Sequence, residues 1–153
     1  MSYFRRQMSP ARFAILSILC LAAVVSTVKL SRATVGTITK SDLSGPWQAS
    51  LILANSGCGP MSIRVNFTLS GSGTATNAAL VSHGACGDST LSGQTFTITS
   101  LNANGSGKAG LSCGTGCGWE FNIQVAPDRS VFNLVDVATV NPGNFVEGVA
   151  VHQ

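Results

Sequence analysis

The chain has 153 residues, 44% of them hydrophobic and only 10% charged, with 17 glycines, 5 cysteines and a formal net charge of +3. Residues 1–33 hold five of the nine basic groups (Arg5, Arg6, Arg12, Lys29 and Arg32) and none of the six acids, so the remaining 120 residues carry a net charge of −2. That reversal excludes nucleic acid as a partner. So little charge amid so much Gly, Ser, Thr and Asn also excludes a charge-rich disordered tail or a coiled coil.

Arg5, Arg6 and Arg12 precede an apolar run, Phe13 to Val28, which Lys29 closes and Ser31-Arg32-Ala33 follows. A basic stretch, an apolar stretch and a small-x-small site are the parts of an export signal. Residues 1–33 therefore read as a signal peptide cleaved after Ala33; the alternative is an uncleaved N-terminal membrane anchor. The run has 16 residues, short of the roughly 20 that span a bilayer comfortably. A membrane is met only through residues 13–28, and only if the signal is retained. The expected location is secreted, periplasmic or in the cell envelope. Residues 34–45 read as a linker, and 46–153 as one domain of ordinary size.

From Thr34 onward period-two alternation replaces any helical stripe. Strands are expected at Trp47–Ala54, Met61–Leu69, Thr74–Ser82, Thr95–Thr99, Lys108–Cys113, Cys117–Val125, Ser130–Thr139 and Phe145–His152. Met61, Ile63, Val65, Phe67 and Leu69 share one face of their strand, with Ser62, Arg64, Asn66 and Thr68 on the other; Trp119, Phe121, Ile123 and Val125 repeat the pattern. In Val131–Val137 the phase slips between Leu134 and Val135, which predicts a bulge. The separators are rich in Gly, Asn, Ser and Pro, and the longest is Gly84–Gly93. Eight short antiparallel strands predict an all-β fold, an up-and-down barrel closed by pairing the last strand with the first. A two-sheet sandwich is the alternative. In both, Thr, Asn, Gln and Ser form the outer face.

Without Cys20, which falls in the signal, Cys58, Cys86, Cys113 and Cys117 remain. An even count in an exported chain of this size predicts two disulfides, not a metal site. Strand direction alternates in a meander, so these four sulfurs gather on one rim. That favours Cys58–Cys86 with Cys113–Cys117, the alternative being Cys58–Cys117 with Cys86–Cys113.

Gly45-Pro46-Trp47 opens the first strand. Gly-x-Trp at the start of an eight-stranded meander resembles the calycin superfamily, the lipocalins and avidin-like proteins. The resemblance implies that Trp47 plugs the closed end of a barrel, opposite the cysteine rim, and that the open mouth takes a small apolar ligand. It departs from those families in two ways. The last strand ends in His152-Gln153 where lipocalins often place an arginine against the tryptophan, and after residue 33 there are two tryptophans and no tyrosine, which argues against biotin.

Inward phase makes Phe67, Trp119 and Phe121 candidate ligand contacts. Glu147 joins them if Phe145, Val149 and Val151 face inward; the opposite phase puts Val146, Gly148 and Ala150 inside and Glu147 in water. Gly87-Asp88-Ser89 partly resembles the nucleophile block of GDS-type esterases, but no Asp-x-x-His closes the chain, so Ser89 reads as a turn residue and no catalytic group is assigned. Two histidines and six acids imply no metal and no cofactor. The competing function is a structural or surface-interaction module with a filled core. Intact mass before and after reduction and alkylation checks the leader and the bridges together: a chain starting after Ala33 should take up four alkyl groups, and none without reductant.

Overall fold

The computed structural model describes residues 36–114, 118–137 and 145–153, with Asn55 and Ser56 described by backbone alone. Residues 1–33, Cys117 and the 138–144 connection lie outside the described residues, and with them the export signal and the Cys113–Cys117 pairing. The eight strands are β1 (Gly45–Ser56), β2 (Gly59–Leu69), β3 (Thr74–Gly84), β4 (Gly87–Leu101), β5 (Ser106–Ser112), β6 (Gly118–Val125), β7 (Val131–Asp136) and β8 (Phe145–His152). Each pairs antiparallel with its neighbour, and β8 returns to β1, from Trp47–His152 to Ala54–Phe145, closing the barrel. Closure removes the two edges that β1 and β8 would otherwise present.

The alternation dictates which side chains are inside. Val65, Phe67, Phe121, Ile123, Phe132, Leu134, Val146 and Ala150 are buried, with the residues between them turned outward. β7 keeps a strict phase: Leu134 is buried, Val135 is exposed, and no register shift breaks its pairing with β6 or β8. The bulge expected there is absent because Val135 is an outward valine. Register shifts fall instead in β1–β2, β3–β4 and β4–β5. The outer face is less polar than expected. Ile52 (56% exposed), Val135, Phe145 (57%), Val149 and Val151 all face out from β1, β7 and β8.

At the end where β1 begins, Trp47 is 1% exposed and its ring packs 4.7 Å from Phe132; Phe96 continues the chain of rings to Phe67, stacked at 4.5 Å. Within the stretch read as a linker, Ile38 and Leu43 are buried in the same core. A short 3-10 helix (Lys40–Leu43) carries Leu43 over the barrel end, where its carbonyl accepts a 2.8 Å bond from Trp47 Nε1. The end of β4, the loop after it and the β6–β7 loop hold this plug. Ile38 N donates to Ala103 O, Lys40 Nζ to Thr99 O and Arg129 Nη2 to Thr37 O. His152 meets Trp47 edge-on at 4.9 Å. Gly45 has φ +130, so the backbone calls for glycine, and a Cβ there would also push the His152 ring, 2.7 Å away, off its place.

Two measurements test this closure and its plug. A Cβ at Gly148 would lie 2.0 Å from Ser50 O and 2.9 Å from Leu51 Cα across the β8–β1 seam. Gly148→Ala should therefore cost about 1–3 kcal/mol, read as a lower urea midpoint with an unchanged m-value. Thr39 N and Oγ1 donate to the Asp42 carboxylate, which with help from Arg129 lowers its pKa from the ordinary 3.8. A lowered carboxyl stabilises the fold fully above its ordinary pKa and loses that contribution as pH falls through the lowered value. Asp42→Asn should melt below the native protein near neutral pH, and the gap should close as the pH drops below about 4.

Candidate functional site at the cysteine rim

The β1–β2 and β3–β4 turns lie at the end opposite Trp47, and a disulfide between Cys58 and Cys86 ties their tips together. It spans 28 residues, and a crosslink of that length restricts the unfolded chain by on the order of 3–4 kcal/mol. Cys113, which follows β5 at the same end, is also disulfide-bonded and nearly buried. The sulfurs of the described cysteines thus share one rim, as the meander required. Sequence placed Cys86 in a long Gly84–Gly93 loop. Here that loop shrinks to a two-residue turn, because β4 starts at Gly87 and its polar first half pairs with β3 outside the core.

Inside this rim the packing opens. A cavity of about 100 Å³ is walled by Leu53, Met61, Ile63, Leu80, Leu91 and Cys113, with Trp119, Ser82 and Ser89 completing it. Among the described residues no charged side chain lines it. Trp119 is half-buried and packs against the core, yet its Nε1 is out of solvent and has no hydrogen-bond partner among the described residues. Leaving such a donor unpaired costs roughly 1–3 kcal/mol.

The other sequence candidates lie elsewhere. Phe67 and Phe121 are buried within the filled part of the core, Phe67 against Phe96. Glu147 is exposed: β8 takes the phase that buries Val146 and Ala150, so its carboxylate faces water beside Ile52 and Val135. Leu53, Met61, Leu80 and Leu91, the inward positions next to the cysteine turns, supply much of the wall, and their place beside those turns is the signal that marks them in the sequence.

Ser89 borders the cavity, whereas its neighbour Asp88 points outward and hydrogen-bonds His83 Nδ1 on the exposed face. Strand alternation thus sets Ser89 and His83 on opposite faces of the sheet, so this histidine is not positioned to take the serine's proton. Among the described residues, no three His, Cys, Asp or Glu side chains converge as metal donors.

A larger concavity, about 630 Å³, lies on the outer wall near the closed end, lined by Asn66, Phe67, Thr68, Thr76 and Asn77 among others. β2 and β3 pair as far as Asn66–Ala79 and meet again where Ser70 N donates to Thr74 O. Between these points three residues of β2 face four of β3, a mismatch that parts the strands. The groove is shallow and open to solvent, and its aromatic floor is already covered. No protein-family model matches the chain, and no curated protein is similar to it.

Exchanging the two exposed partners separates ornament from structure at this rim. Asp88→Asn should change the unfolding free energy measured in urea by less than about 1 kcal/mol, since exposed ion pairs contribute little. Replacing Cys58 and Cys86 together by serine should cost about 3–4 kcal/mol in the same assay.

Proposed function

We propose that this chain is an exported binding protein whose disulfide-bordered mouth takes a small apolar ligand. The observation that carries the reading is the asymmetry of the interior. Trp47, Phe132, Phe96 and Phe67 fill the plugged half, while at the cysteine rim an uncharged cavity remains. Apolar walls with a few polar groups are the usual make-up of a small-ligand site. A closed eight-stranded meander behind a Gly-x-Trp start is compatible with the calycin-like resemblance, whose members bind ligands in the barrel mouth. Export rests on the basic and apolar segments within residues 1–33 and on the disulfides, which persist in oxidising compartments. Among the described residues no helix is long and apolar enough to cross a membrane.

A second reading, a surface-interaction module, is favoured by one observation. Ile52, Val135, Phe145, Val149 and Val151 leave an apolar strip on the outer face of β1, β7 and β8. Displacement of a hydrophobic fluorescent dye distinguishes the two. The mouth reading expects the oxidised protein to bind the dye, Leu91→Asp to abolish binding, and Val149→Asp to leave it intact. Loss of binding in Val149→Asp alone would move the site to the strip, and no binding at all would remove the ligand reading.

A further inference from the structure

We infer that two copies of this chain pair through the outer face centred on β1, with Glu147 of each copy set against Arg64 of the other. The inference is independent of ligand binding at the mouth and commits the apolar strip to one occupant. Ile52, Val135, Phe145, Val149 and Val151 are the exposed hydrophobic side chains of that strip. Glu147 stands among them, because its cross-strand partners are Ile52 on one side and Val135 on the other. Any surface that covers the strip therefore takes the Glu147 carboxylate out of water as well. That is costly unless the covering surface brings a cation to it. Hydrocarbon alone supplies none.

The cation is on the same face. Among the described residues, Glu147 and Arg64 are the two charged side chains that face outward from β7, β8, β1 and β2, and neither has an ion-pair partner there. The register places them symmetrically. Ile52 pairs with Glu147, Ser50 pairs with Arg64, and β1 runs between β8 and β2. A two-fold axis through the outer face of β1 at Leu51 thus carries the Glu147 position onto that of Arg64, and the reverse. The same rotation sets Val149 over Ser62 and Val135 over Val81. Large then meets small beside the ion pair, and two valines meet next to it. Around Ser62 and Arg64 the wall is concave, a depression of about 400 Å³ that Ser50, Ile52 and Val81 also border, so it has room for the β8 side chains of a facing copy. Such a contact is self-complementary and closes at two copies. Four strands about 4.8 Å apart, over the eight residue pairs of the β8–β1 seam, span roughly 500 Å² per copy. That is the size of a reversible dimer, not of an obligate one.

Sedimentation equilibrium of the full chain with its disulfides intact tests the pair. The native protein should approach twice the monomer mass as its concentration rises toward about 1 mM. Glu147→Arg and Arg64→Glu should each weaken the association by about tenfold or more, because like charges then face each other at both contacts. An equimolar mixture of the two variants should recover the dimer, and so should the double variant, since each restores opposite charges at both contacts. Both side chains are exposed, so the variants should keep the native urea midpoint. A native chain that stays monomeric throughout overturns the inference. So does an association that both reversals leave unchanged, which would place it on another surface such as the apolar run 13–28. A mixture that fails to recover what the single reversals lose overturns it too. Should one single variant not fold, the other measured against the native protein decides.

Discussion

The pairing of β8 with β1 is the constraint on which the rest of the structure depends. Eight registered residue pairs join the two strands. Once they meet, every strand has two neighbours, every alternate side chain has one possible destination, and the chain has an inside. An open sheet of the same strands would leave β1 and β8 as edges with unpaired peptide groups. Gly148 shows how tightly the seam is drawn, since its strand passes so near Ser50 and Leu51 that no Cβ fits. Closure also gives the barrel two unlike ends.

One end is sealed by local chemistry. Trp47 needs an acceptor for its buried N–H, and the turn at Lys40–Leu43 supplies one while bringing Leu43 onto the core. Gly45 lets the last strand's His152 lie across the indole. The other end is framed covalently, with Cys58–Cys86 holding two hairpin tips together. A covalent frame holds a rim in shape without filling its middle. The sealed end has satisfied its tryptophan, and the framed end has not.

Much of this was legible from sequence because period-two alternation depends only on where water is. The eight strands, the shared end of Cys58, Cys86 and Cys113 and the place of Trp47 at the opposite end follow from alternation and chain direction, whereas a barrel and a sandwich share that pattern and only the β8–β1 pairing decides between them. What was hidden lacked that signal. The first half of β4, Gly87 to Gly93, is exposed on both faces, so nothing alternates and it reads as a loop. Val135 is an apolar residue facing water, which makes a regular strand look bulged. β8 carries apolar residues on both faces, so the side on which Glu147 falls is set only by its pairing with β1. Ile38 and Leu43 are single apolar residues in a polar stretch, and their burial is decided by the barrel end they cover. At the candidate site, Trp119 was visible by phase, whereas its unpaired nitrogen depends on the arrangement of strands far apart in sequence.

The measurement that bears most directly on this account is the backbone NOE pattern across the seam in the oxidised protein, read together with amide exchange. Contacts linking Ala49 to Ala150 and Leu51 to Gly148, with slowly exchanging amides on both strands, are the expected result. Fast exchange along β1 and β8 with no NOE between them would mean an open sheet, and neither the plugged end nor the cysteine-framed mouth would then exist as described.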